Sequence, residues 1–160
     1  MCINRVFYGA EAIRRIEEKK QLFSGQWMTD KEIRQVKKIS MWKISKESFD
    51  IEALCQFVNL EVLEISGISE TQPLFIKNLD ALYQMKNLKY IQFECCNLGK
   101  ELDTGCWKKL KSLIVSKCYL NKLKIGKNRR LKTVLCEGNR VEKEWKKQRK
   151  NVYPFCRKVV

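Results

Sequence analysis

Leu110-Lys-Ser-Leu113-Ile-Val115-Ser-Lys-Cys118-Tyr-Leu120 reads L-x-x-L-x-V-x-x-C-x-L, and this stretch decides the fold. Leu113 and Val115 alternate with more polar neighbours, which marks a short strand with one face turned inward. Leu88, Ile91, Phe93, Cys96 and Leu98 fill the same slots upstream, and Leu131, Val134, Cys136, Asn139 and Val141 fill them downstream. Two weaker copies precede these. One has Leu60, Leu63 and Ile65 with Ile68 in the Asn/Cys slot; the other has Val36, Ile39 and Met41 with Ile44 there.

The copies start at residues 36, 60, 88, 110 and 131, which are 24, 28, 22 and 21 residues apart. Between the last two strands, Leu120-Asn-Lys-Leu123-Lys-Ile125-Gly-Lys-Asn128 repeats the pattern on the return side. The whole resembles the cysteine- and asparagine-containing leucine-rich repeats of roughly 21 residues found in many bacterial proteins. The resemblance covers residues 36–141 and is closest over 88–141. It implies an α/β fold: a leucine-rich-repeat solenoid of about five coils, with a parallel sheet on the concave side. The Asn/Cys slot sits where the chain turns inward. An asparagine there can satisfy buried backbone groups, and cysteine is small enough to bury in the same place.

Ile51, Leu54, Cys55 and Val58 fall at i, i+3, i+4 and i+7, so the spacing predicts a helix, and Leu79, Leu82, Tyr83 and Met85 predict another. The shorter later repeats are expected to return through extended or 3₁₀ segments. We read 1–160 as a single domain: an N-terminal helical cap over 1–35, repeats over 36–141 and a basic C-terminal cap over 142–160. The front cap includes a helix through 9–22, and Thr29-Asp-Lys-Glu32 is a capping box for a short helix into the first repeat. At the back, 141–150 reads as helical with Trp145 as its anchor, and Tyr153-Pro-Phe155 closes the end.

The net charge of +15 is unevenly spread. Residues 107–160 hold 18 Lys and Arg against 3 Asp and Glu, which leaves 15 of each kind in residues 1–106. No stretch approaches the roughly 20 apolar residues of a membrane span. The first residues lack the apolar core of a secretory signal, so the expected location is the cytoplasm and the eight cysteines are expected as free thiols.

Catalysis finds little support. The chain has no histidine, which removes the commonest general base and every Ser/His or Cys/His arrangement. No C-x-x-C pair, phosphate-cradling loop or nucleotide motif is present. We expect a non-enzyme with no cofactor and no metal.

Strand alternation places the intervening slots on the concave face. The candidate partner-binding residues are Trp42, Val62, Glu64, Tyr90, Gln92, Glu94, Ile114, Leu135 and Glu137. Aromatic and aliphatic groups rimmed by charge in a concave surface suit recognition of a partner protein, as in an immunity-type protein or an adaptor. The alternative is a nucleic-acid or anionic-surface binder that uses the basic third through Lys122, Lys124, Lys127, Arg129 and Arg130. An acidic protein would also suit that charge.

Overall fold

A computed structural model of the chain describes residues 3–8, 16, 29–99, 101–126 and 128–141. The architecture is α/β, with mainly parallel strands and few, short helices. Six strands form one all-parallel sheet whose neighbours follow chain order. They are β1 (Ile3–Tyr8), β2 (Val36–Ile44), β4 (Val62–Gly67), β6 (Tyr90–Glu94), β9 (Ser112–Ser116) and β11 (Thr133–Leu135). A second parallel ladder joins β3 (Ser48–Asp50), β5 (Leu74–Lys77) and β7 (Cys96–Asn97). A third joins β8 (Glu101–Asp103) to β10 (Lys122–Lys124).

The repeated slots stack in register. Ile39, Leu63, Ile91, Leu113 and Val134 pair in one continuous row, and all are fully buried. Met41, Ile65, Phe93 and Val115 form a second buried row. Stacking identical slots lets each strand bury its inward side chains against the strands beside it, although no single strand could enclose a core alone.

The strands end at a recurring kink. Lys43, Cys95, Lys117 and Gly138 occupy the same slot and all have positive φ, between 50° and 68°. The left-handed turn reverses the chain into the interior. Glycine adopts it without strain at the last position, while the other three hold it against a steric penalty.

After the kink the chain must satisfy buried backbone groups, and the last unit does so with Asn139. Its amide donates to the carbonyls of Val115 at 2.6 Å, Cys136 at 3.1 Å and Glu137 at 3.1 Å. Its carbonyl accepts from the backbone N–H of Cys118 at 2.9 Å and Leu120 at 3.1 Å. Cys118 and Cys96 occupy this slot in the two preceding units. Their thiols donate to Ser116 O at 3.1 Å and Glu94 O at 3.3 Å respectively, with a longer contact from Cys96 to Ile65 O. Asn128 plays the same part on the return side, donating to Trp107 O and Leu110 O.

The capping box is present: Thr29 accepts from Glu32 N at 3.2 Å and Glu32 accepts from Thr29 N at 2.7 Å, opening α1 (Asp30–Gln35). Four expectations need correction. The helices expected from residues 51 and 79 are 3₁₀ helices, Ile51–Gln56 and Leu79–Gln84. The buried residues recur every third position, at Ile51, Leu54, Phe57 and Leu60, and again at Leu82, Met85 and Leu88. A 3₁₀ helix has three residues per turn, so this spacing keeps one face inward, whereas Val58 of the expected stripe is 56% exposed.

The second correction concerns Ile68, which is exposed and does not fill the inward slot. Residues 68–73 leave the layer as a loop, and Leu74 takes the inward place, paired with Cys96. Gly67 permits the exit: a Cβ there would stand 2.2 Å from Cys95 O and 2.8 Å from Leu74 N. Third, Trp42 does not pair with Ser66 as the slots imply. Met41 pairs with Ile65 and Ile44 with Gly67, so Trp42 and Lys43 bulge opposite Ser66. Fourth, residues 1–35 include a strand, since β1 pairs with β2 from Ile3 to Tyr8. Its Val6-Phe7-Tyr8 run is made of good strand formers. Within the expected helix 9–22 only Ile16 is described, and it is helical and fully buried. The rest of that helix and the C-terminal cap over 142–160 lie outside the described residues.

Candidate functional site

The outward rows of the large sheet form the candidate face. Lys38, Val62, Tyr90, Ser112 and Thr133 pair across five strands. Ser40, Glu64, Gln92, Ile114 and Leu135 form the row beside them. Ser66, Glu94 and Ser116 form a third, and Glu137 follows β11 in the corresponding slot, exposed. Val62, Glu64, Tyr90, Gln92, Glu94, Ile114 and Leu135 are all half-buried, as expected for side chains standing shoulder to shoulder on a sheet. Trp42, displaced by its bulge, is also half-buried and pairs in register with Tyr8 of β1.

The face is chemically divided. On β2 and β4, Glu64 accepts from Lys38 Nζ at 2.9 Å and from the buried Ser40 hydroxyl at 2.5 Å. Beside this triad the Tyr90 hydroxyl donates to Gln92 Oε1 at 2.7 Å. Burial pushes the Tyr90 hydroxyl above its ordinary pKa, and the Glu64 charge adds to the effect. Polar groups already locked in this way are preorganised and lose little freedom on binding. On β9 Ile114 stands between Ser112 and Ser116, and on β11 Leu135 follows Thr133, leaving an apolar strip beside Glu94 and Glu137, whose carboxylates make no ion pair among the described residues.

The basic residues are divided between two elements. Lys122 and Lys124 project from β10 and share one carboxylate, Glu101 of β8. The hydrogen bond from Lys124 is the largest cause holding the Glu101 carboxyl below its usual pKa. Arg129 and Arg130 are exposed in the turn before β11, and Lys127 lies outside the described residues. Glu101 carries no signal in the sequence, because the pairing depends on β8 lying beside β10, 21 residues further along the chain.

The chemistry of the thiols is muted. Cys55, Cys95, Cys96, Cys106, Cys118 and Cys136 form no disulfide. Cys96, Cys118 and Cys136 are buried in their repeat slots, and burial, followed by the adjacent Cys96, pushes the Cys118 thiol far up. Cys95 and Cys106 are raised as well, again mainly by burial. Such thiols stay protonated and are poor nucleophiles. Among the described residues no group of three or more His, Cys, Asp or Glu could hold a metal ion, and no helix is long and apolar enough to cross a membrane.

Two features escaped sequence reasoning. β1 extends the face by one rung, placing Asn4, Val6 and Tyr8 in register with Lys38, Ser40 and Trp42. The loop 68–73 reaches across β6 to the kink after β9, where the Tyr119 hydroxyl donates to Glu70 O at 2.5 Å and Lys117 lies 3.9 Å from the Glu70 carboxylate. The 28-residue spacing was the signal for an insertion here. No family model, curated protein or solved structure matches the chain.

Proposed function

We propose that the chain is a short leucine-rich-repeat solenoid whose open sheet face recognises a partner protein. The in-register stacking of five sequence copies, the left-handed kink shared by four of them and the Cys96–Cys118–Asn139 slot support the repeat reading. The single observation that carries the function is the pair of continuous outward rows, in which Tyr90, Ile114 and Leu135 adjoin a prearranged Lys38–Glu64–Ser40 network. Large half-buried groups beside fixed polar ones are the composition of an interface centre. A binding role, immunity-type or adaptor, accounts for this face without catalytic machinery, and a cytoplasmic setting suits the free thiols. The polyanion reading through Lys122 and Lys124 is weakened by Glu101, which already neutralises one of the two charges.

The test is capture from native lysate with immobilised protein, nuclease-treated and untreated, followed by titration of the captured partner. Tyr90→Ala and Ile114→Ala should each weaken binding by more than about 1 kcal/mol. Phe75→Ala removes a ring that is 49% exposed on the smaller ladder, and it should leave affinity unchanged. A partner that binds all three variants alike would refute the assignment of the face.

A further inference from the structure

Among the described residues of the last third, six cations without an ion pair gather where the chain enters its strands. The turns that lead into successive strands are stacked by direct bonds. Asn59 donates to Arg34 O at 2.9 Å and Asn87 to Val58 O at 3.1 Å. Lys109 Nζ donates to Asn87 Oδ1 at 2.7 Å, and Asn128 to Trp107 O at 3.0 Å. The entry residues of the strands are linked in the same order, Lys111 N to Lys89 O at 2.7 Å and Lys132 N to Lys111 O at 2.8 Å. Lys108, Lys109 and Lys111 of one layer therefore stand beside Arg129, Arg130 and Lys132 of the next, one strand spacing of about 4.8 Å away. All six are exposed, and none makes an ion pair among the described residues.

The earlier layers carry fewer such cations: ahead of β6, Lys86 donates to Tyr83 O and Lys89 pairs with Glu61, and ahead of β4 an acid appears. Val58, Asn59 and Glu61 hold the positions equivalent to Lys108, Lys109 and Lys111, and Glu61 pairs with both Lys37 and Lys89. Among the described residues, the strand entries of these two adjacent layers thus carry the densest run of cations without an ion pair. Six like charges carried on backbone held in register form a localised electrostatic surface with no acid paired to it among the described residues.

We propose that this ridge is a second docking surface, separate from the sheet face, and that it takes an acidic extended segment of a partner protein. The inference is independent of the function assigned to the sheet face. Two observations favour a protein segment over nucleic acid. Among the described residues beside the ridge no ring is open for base stacking: Trp107 is fully buried with its indole N–H donated to Leu82 O, and Tyr83 packs against it at 5.5 Å with its hydroxyl bound by Asp103 N. The paired layers are also narrow. A span of about 10 Å meets roughly three phosphates of one DNA strand, short of the 6–10 contacts that give strong duplex binding. A flexible peptide can bring a few carboxylates to this spot, where Arg129 and Arg130 can each hold one in a two-pronged pair.

The experiment uses the full chain, a fluorescein-labelled glutamate-rich peptide of about ten residues and a labelled duplex of about twenty base pairs, each titrated at about 50 and 200 mM salt. The peptide should bind at low salt, more tightly than the duplex, and weaken as salt rises. Joint substitution Lys111→Gln, Arg129→Gln, Arg130→Gln and Lys132→Gln should weaken it at least about tenfold, while Lys122→Gln with Lys124→Gln should change it less than about twofold. Circular dichroism melts confirm that both variants fold, as surface substitutions of this kind allow. Equal losses in the two variants, absence of peptide binding at low salt, or tighter binding of the duplex would each overturn the proposal.

Discussion

The units entering at β2 and β4 and those entering at β6, β9 and β11 share one backbone register and close their layers differently. In the later group the spacings are 22 and 21 residues, and a side chain in the inward turn satisfies the backbone: Cys96, Cys118, then Asn139 with five hydrogen bonds. In the earlier group the spacings are 24 and 28 residues, and the slot is filled by the apolar Ile44 and, after a loop, by Leu74. The extra length there supplies β3 and β5, whose backbones pair with each other. The short layers pair their own return strands β8 and β10, and Asn139 adds hydrogen bonds that an apolar residue in the same slot cannot make. The charges divide one layer later, after the entry to β6. Lys37, Lys38 and Lys89 find Glu61 and Glu64, whereas the cations entering β9 and β11 find no acid among the described residues.

The shared register is the half of this comparison most exposed to test. Leu113→Ala should destabilise by about 2–5 kcal/mol, as deletion of a fully buried leucine in a tight core does. Ser116→Ala, on the outward row three residues away, should stay within about ±0.5 kcal/mol. Denaturant melts measure both. Similar small effects at the two positions would break the register on which the whole reading of the face depends.

Next in size is the closure of the short layers. Asn139→Ala leaves the N–H groups of Cys118 and Leu120 without their acceptor, and each orphaned buried group costs about 1–3 kcal/mol. Cys118→Ala removes only a weak S–H donor and a small volume, so it should lose about 1 kcal/mol. A loss at Asn139 no larger than at Cys118 would show that the closure is apolar throughout, as it is at Ile44, and the contrast between the halves would vanish.

The rows of the sheet were legible because burial itself imposes the alternation: Ile91, Phe93, Leu113 and Val115 announce their strands, and the outward residues follow by parity except at Trp42, where the bulge intervenes. The Asn/Cys slot was legible at Cys96, Cys118 and Asn139 for the same reason. Ile68 was misread because counting positions assumes no insertion, and only Gly67, squeezed against Cys95 O, marks where the chain departs. The 3₁₀ helices were misread because Ile51, Leu54 and Leu79, Leu82 suit periods of 3 and 3.6 alike over so few residues; Phe57 and Leu60 decide for three. β1 was overlooked because a lone strand has no repeat copy to align with. The division of the basic third was hidden for another reason. Charge pairing is set by which layers touch, and Glu101 meets Lys122 and Lys124 only once β8 lies beside β10.

The smallest effect separates the two halves by pH. Glu61 lies below the ordinary glutamate value of 4.5, first through its hydrogen bond from Lys89 and then, against some desolvation, through Lys37. A lowered carboxylate pKa means that the unfolded chain binds the proton more readily than the folded one. The stabilisation is therefore complete above about pH 5.5 and is lost as pH falls through the folded pKa. The pair is partly exposed, so its contribution should stay below about 1 kcal/mol. Lys89→Gln should accordingly lower the melting temperature slightly at pH 7, and the difference from the parent should shrink as pH falls through the folded pKa. Carboxyl resonances followed by NMR should show Glu61 moving up towards 4.5 in that variant. Lys132→Gln in the later half removes a cation that has no acid beside it among the described residues and relieves repulsion from Lys111, so it should leave stability at pH 7 unchanged or slightly raised. If Lys132→Gln were as damaging as Lys89→Gln, the ridge would already hold a compensating acid, and both the contrast between the halves and the acidic-segment proposal would fall together.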